Sequence, residues 1–250
     1  MFYFTRFLCS IKDMTEHYNQ PEKRVVYATR TSDTLGAIAH KAFALPLSPT
    51  TQQRWDQLMM LMREADDIAG NITPDAATLR MHAEQSGAYD RYPLLHPDNF
   101  SASTAAELEH TIVQLFMLDR QLATATDIAH YVAAREHEAR LTAHLFALTA
   151  DYDTAQQPQF TEFMQALSQL AVAAGSLDTA IDARRDFTQG DLAITPTVRM
   201  RSQLIKHSIG TLASTDMRVF SPKLAGTYLK LGARSLMSHH VRNQLERQTK

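Results

Sequence analysis

The chain has 250 residues, 44% of them hydrophobic and 21% charged, enough to bury a sizeable core and too apolar for intrinsic disorder. Eight Gly and nine Pro among long Ala-, Leu-, Met- and Gln-rich stretches exclude an all-β fold, and the single Cys9 excludes an intramolecular disulfide framework or a Cys-rich zinc or iron–sulfur site. A net charge of −2 argues against a dedicated nucleic-acid binder. No run approaches the roughly 20 apolar residues of a transmembrane helix.

Residues 1–30 show no clean period and are expected to form an N-terminal arm, with 31–250 as a single helical domain. The apolar opening Met1-Phe2-Tyr3-Phe4 is interrupted by Arg6 and Lys12, so it reads as a packing arm rather than a signal peptide. A cytoplasmic location is expected. From Ser32 the spacing of Leu35, Ile38, Ala39 and Ala42 predicts a helix that stops before Pro46. Ser48-Pro49 opens a second, with Trp55, Leu58, Met59, Met62 and Ala65 on one stripe, ending near Gly70-Asn71. Thr73-Pro74-Asp75 starts a third, running to about Gly87.

Pro93 and Pro97 mark 89–100 as the longest interior loop, placed to cover a site. Ser101 or Ser103 caps a long helical region to about Thr149, with a break near Thr124-Ala125-Thr126. A polar linker over 151–158 follows, then a long helix from about Gln159 to Thr188 that ends at Gly190. Thr195-Pro196 and Ser221-Pro222 start two more. Seven or eight helices without strand alternation or internal repeat predict an all-α, single-domain helical bundle.

Chemistry is concentrated in the long helix, where Asp178, Asp182 and Asp186 recur at four-residue steps. At about 100° per residue the three lie within about 80° of one another, with neighbours near 6 Å apart along the axis. Phe160, Met164, Leu167 and Ala171 fall on or beside the same stripe, so a regular helix turns the carboxylates toward the bundle interior. Like charges turned inward need a compensating cation, and a hard divalent ion such as Mg²⁺ suits oxygen ligands. The alternative is a solvated acidic face, with Arg184 and Arg185 beside it and the helix rotated onto Leu177 and Ile181.

A second acidic pair, Asp66-Asp67, ends the Trp55 helix. Asp66 sits at the edge of the stripe through Leu58, Met62 and Ala69, and Asp67 nearly opposite, so Asp66 is the better placed of the two. Acids at a helix C-terminus oppose the helix dipole, a local conflict expected at functional sites. From Arg199 to Lys250 there are ten Lys/Arg against Asp216 and Glu246, which describes either a solvated basic face or one that holds a polyanion.

Two acidic helix ends in an all-helical chain of this length resemble the class I isoprenoid synthase superfamily. Leu177-Asp178-Thr-Ala-Ile-Asp182-Ala-Arg-Arg-Asp186-Phe-Thr-Gln-Gly190-Asp191-Leu192 is similar to the second aspartate motif of terpene synthases of the tetraprenyl-β-curcumene synthase type. Asp66-Asp67-Ile-Ala-Gly-Asn71 would correspond to the first motif, and departs from its DDxxD form by ending in Asn.

The resemblance implies a class I terpene synthase-like bundle in which Mg²⁺ held by Asp66, Asp67, Asp178, Asp182 and Asp186 binds a prenyl diphosphate, with Asp66 and Asp182 catalytic. Ionisation then yields a carbocation that cyclises or is quenched, a lyase reaction. Diphosphate would be held by Arg185, Lys206, Tyr228 and Lys230, with Arg199, Arg201 and Lys223 as further basic candidates. Phe116, Phe146, Phe160, Phe163 and Met164 are the candidates for the apolar pocket, against the plain reading that they are core. A prenyltransferase of the same fold is the near alternative, and a homodimer is compatible with either.

Two rivals come from other classes. Glu107-x2-His110 and Asp127-x2-His130 match the spacing of helical di-iron bundles, which requires a helix break between them, and His130, His137 and His144 form a heptad stripe too widely spaced to share an ion. A non-enzymatic helical adaptor would expose the aspartate ridge and bind no Mg²⁺.

Overall fold

The computed structural model describes residues 33–69 and 75–215. Every regular element among them is helical, and no strand occurs among the described residues. The expected arm over 1–30, the junction Gly70-Asn71, the Thr73-Pro74 start and the helix from Ser221-Pro222 lie outside the described residues, as do the side chains of Asp66 and Asp67.

Most of the helices begin where a side-chain oxygen accepts an amide that the first turn leaves without a partner, those starting at Ala88 and Phe160 being exceptions. Residues 33–43 form α1, which buries Leu35, Ala39 and Phe43 and ends before Pro46. In α2 (Pro49–Ala69) proline takes the first position, where its missing N–H is harmless, and Ser48 Oγ accepts from the Thr51 amide at 3.0 Å. α3 (Ala76–Gln85) is capped by Asp75, whose Oδ1 accepts from the Thr78 amide at 2.7 Å. At α9 (Val198–Ser214) the cap falls two residues after the expected Thr195: Thr197 accepts from the Met200 amide at 3.1 Å.

The stretch expected as a loop over 89–100 is wound into α4 (Ala88–Arg91) and two 3₁₀ turns, Pro93–Leu95 and Pro97–Asn99. Each proline presets the backbone angle of its turn. Tyr92 and Leu95 are carried into the core, so this segment packs rather than forming an open flap. α5 (Ala102–Thr124) is capped by Ser101 and α6 (Ile128–Thr149) by Asp127, so the expected break falls at Ala125–Asp127. The polar linker contains one helical turn, α7 (Tyr152–Ala155), and α8 (Phe160–Gln189) ends at Gly190, whose φ of 86° only glycine adopts without strain.

The three-residue connection makes α5 and α6 an antiparallel pair, and α6 packs in turn on α8, which packs on α9. Across the α6–α8 seam Tyr131 meets Thr179 and Arg135 meets Gly175, so these two also run antiparallel. Trp55 of α2, fully buried, ties the elements together: its ring stacks on Phe163 of α8 at 6.1 Å and meets Phe146 of α6 edge-on at 5.2 Å. Its indole N–H donates to the Phe146 carbonyl at 3.0 Å. Phe43 completes the cluster against Phe163 at 5.6 Å.

Candidate functional site

Within α8 the interior stripe changes chemistry along the helix. Phe160, Phe163, Leu167, Leu170 and Ala171 are buried in the N-terminal half, and Asp178 and Asp186 are buried in the C-terminal half. Asp182, between them, is 26% exposed, while Arg184 and Phe187 face outward. The helix therefore does not rotate to put its aspartates in solvent. The Schellman closure at Gly190, in which the Asp191 amide donates to the Asp186 carbonyl at 2.8 Å, fixes the turn that carries Asp186.

Arg185 lies across this ridge. Its Nη2 is 2.8 Å from Asp182 Oδ2 and 3.0 Å from Asp186 Oδ1, and Nε donates to the same Asp186 oxygen at 3.2 Å. Partial burial pulls the guanidinium pKa down, but the Asp182 and Asp186 carboxylates, with Asp178 behind them, raise it above its ordinary value. Arg185 also offsets the unfavourable placement of Asp186 in the last turn, where the helix dipole is negative. Among the described residues no three carboxylate, imidazole or thiolate groups converge on one point.

Beside the ridge, α6 and α8 share a buried polar network that the sequence reading passed over. Arg135 forms an ion pair with Glu138 one turn along α6, both side chains being over nine-tenths buried. Arg135 Nη2 donates to the Tyr131 hydroxyl at 2.6 Å, and that hydroxyl is 2.5 Å from Thr179 Oγ1 on α8. Burial pushes the Tyr131 phenol up; for Glu138 burial acts in the same sense, and the Arg135 charge opposes it, leaving the carboxyl below its ordinary value. A sequence signal did exist: Tyr131, Arg135, Glu138, Thr142, Leu145 and Thr149 follow the three-four spacing of one buried stripe, with two charges in it.

No family model, curated protein or solved structure matches this chain. The site is therefore read from its own chemistry.

Of the residues expected to line a pocket, Phe146 and Phe163 are engaged by Trp55 in the filled core, Phe160 belongs to the same cluster, and Phe116 is buried on α5. Met164 lines a groove of about 600 Å³ between α6, α8 and α9. That groove also carries Glu136, Arg140, His144 and Gln165, with Arg140 and Gln165 exposed, so it is not the dry apolar enclosure that a carbocation needs. Of the basic candidates, Lys206 and Arg199 are exposed on α9 and Arg201 is buried there, whereas Lys223, Tyr228 and Lys230 lie outside the described residues.

The carboxylate–histidine pairs take other roles. Asp127 caps α6, accepting from the His130 amide at 3.0 Å, and this hydrogen bond and the one to the His130 ring hold its pKa below the ordinary value. Glu107 reaches across to His144 at 2.8 Å while His110 points to solvent, because residues facing each other across a helix pair are closer than the spacing along one helix suggests.

Proposed function

We propose that the acidic face of α8 binds the diphosphate of a prenyl diphosphate together with Mg²⁺, and that the chain acts as a terpene synthase. The observation that supports this reading is the burial of carboxylates: Asp178, 7% exposed, lies in the stretch 170–180 that is covered on every face, and Asp186, 2% exposed, is on the interior side of α8, with Asp182 at the rim. A solvated acidic face would not bury two of its three carboxylates.

Asp178, Asp182 and Asp186 would be the oxygen donors for the metal on this face, with Asp66 and Asp67, whose side chains lie outside the described residues, as the further donors of the proposal. Mg²⁺ supplies neutralisation of the charge that develops on the departing diphosphate. Arg185 holds Asp182 and Asp186 in the unliganded chain, and its planar fork is suited to phosphate oxygens as well as to carboxylates. In the reaction the allylic C–O bond breaks, its electron pair leaves with diphosphate, and the carbocation then loses a proton or is captured by water.

The deciding experiment incubates the purified chain with geranyl, farnesyl and geranylgeranyl diphosphates, with and without Mg²⁺, and follows diphosphate release and extracted products by mass spectrometry. Mg²⁺-dependent release with a discrete terpene from one substrate alone is expected. A requirement for two prenyl substrates would make it a prenyltransferase, and no release from folded protein would refute the proposal.

A further inference from the structure

The network between α6 and α8 is more polar than packing requires. A buried cation, carboxylate and phenol are costly to desolvate, and apolar side chains of similar volume would hold two helices together at least as well. The ion pair itself is made within α6, so it contributes no direct bond to α8. Two contacts reach α8 close to Asp178: the stem of Arg135 against Gly175 and the hydroxyl of Tyr131 on Thr179.

These two contacts are one turn apart and flank Asp178. A Cβ at position 175 would lie 2.8 Å from Arg135 Cδ and 3.3 Å from its Nε, closer than side-chain carbons pack. A Cβ there would force the Arg135 side chain to shift, and that side chain is held by Glu138 and the Tyr131 hydroxyl; the sequence neighbours Ala174 and Ser176 each bring a Cβ. Rotating or sliding α8 by one residue would drive one of them into the Arg135 stem and separate Thr179 from Tyr131. Residues 170–180 are buried on every face, so the orientation that satisfies both contacts shows one turn further on, where Ala183 and Asp186 are turned inward and Arg184 and Phe187 outward.

We infer that Tyr131, Arg135, Gly175 and Thr179 form a rotational lock on α8 and are positioning residues for the acidic face. The lock's role in metal binding rests on the function proposed above; its geometry does not.

The test compares Thr179→Val, which removes the hydroxyl at nearly constant volume, with Thr179→Ser, which keeps it, and with Gly175→Ala, which fills the notch. Mg²⁺ binding is measured by calorimetry in the presence of inorganic diphosphate, beside the urea midpoint of each variant. Thr179→Val and Gly175→Ala are expected to weaken binding at least tenfold, and Thr179→Ser to stay within twofold of the parent chain. Equal binding in all, or losses that track the midpoints with Thr179→Ser no better than Thr179→Val, would overturn the inference.

A metal-free arm separates this from the function itself. In a Cys9→Ser background, thiol labelling is compared at Ala183→Cys, on the buried side, and Arg184→Cys, on the exposed side, far below the unfolding transition. The lock predicts that Gly175→Ala raises the labelling ratio of 183 to 184 severalfold. An unchanged ratio refutes the lock, whereas a changed ratio in a chain that binds no Mg²⁺ refutes only the proposed function.

Discussion

Asp182 is the carboxylate of the ridge that solvent reaches, and its partner Arg185 is 44% exposed. An ion pair this open contributes only about 0–1 kcal/mol to stability. Asp182→Asn is therefore expected to leave the melting temperature within a few degrees of the parent while abolishing Mg²⁺-dependent diphosphate release. Retained turnover in that variant would remove Asp182 from the site. Trp55 presents the opposite case, because it is fully buried and touches both α6 and α8. Trp55→Ala opens a cavity among aromatic rings and takes the indole donor from the Phe146 carbonyl, at a cost of about 3–5 kcal/mol. Its denaturation midpoint should fall accordingly, before any effect on chemistry is assessed.

The starts of α2 and α7 are joined by a polar clasp. Ser48 Oγ donates to Asp151, the Asp151 amide donates to Thr51 Oγ1 at 2.9 Å, and Asp151 Oδ1 accepts from the Thr154 amide at 2.9 Å. Partial burial raises the Asp151 pKa, but the Ser48 and Thr154 hydrogen bonds lower it and prevail, so the net shift is downward. A carboxylate with a folded pKa below its unfolded value stabilises the fold above the unfolded value, near 3.8, and that contribution is lost as pH falls through the folded one. Asp151→Ala should cost about 1–2 kcal/mol at neutral pH, as lost helix caps do. Asp151→Asn keeps an acceptor and should flatten the acid limb of stability against pH, which urea titrations between neutral and acidic pH can measure.

Most helices were legible because their signals are local. Proline at the start of α2, Ser101 before α5 and Gly190 after α8 each act within one turn, and the buried stripes of α1 and α2 follow from residue spacing. The errors were local too. Thr195 is displaced as a cap by Thr197, since several oxygens compete for the same amides and only the backbone path decides among them. The acidic stripe of α8 was readable from its four-residue period. The polar stripe of α6 was not recognised, because Arg135 and Glu138 at three-residue spacing look like a surface pair until α8 covers them.

The helical body as a unit gives a further prediction through linkage. A ligand set that binds the folded chain alone stabilises it by about 2.7 kcal/mol at a hundredfold excess over Kd. For a chain of this size that is roughly 5–10 °C in melting temperature. Mg²⁺ with inorganic diphosphate should produce such a rise, and either component by itself much less, because the proposed site has the cation bridge the α8 carboxylates and an anion that they would otherwise repel. A thermal melt with the four combinations measures it; equal melting in all four would count against the site.

Composition and short-range pattern were enough to determine an all-helical chain, the order of most of its helices and the alignment of Asp178, Asp182 and Asp186 on one face. Those properties depend on backbone angles and on neighbours within a turn or two, which are written in consecutive residues. Tertiary structure decided what that face meets. It buried Asp178 and Asp186, filled the space among Phe146, Phe163 and Trp55, and set Arg135 in the notch at Gly175. Each of these depends on a side chain from a helix distant in sequence or on the rotation such packing imposes, and no local spacing encodes that.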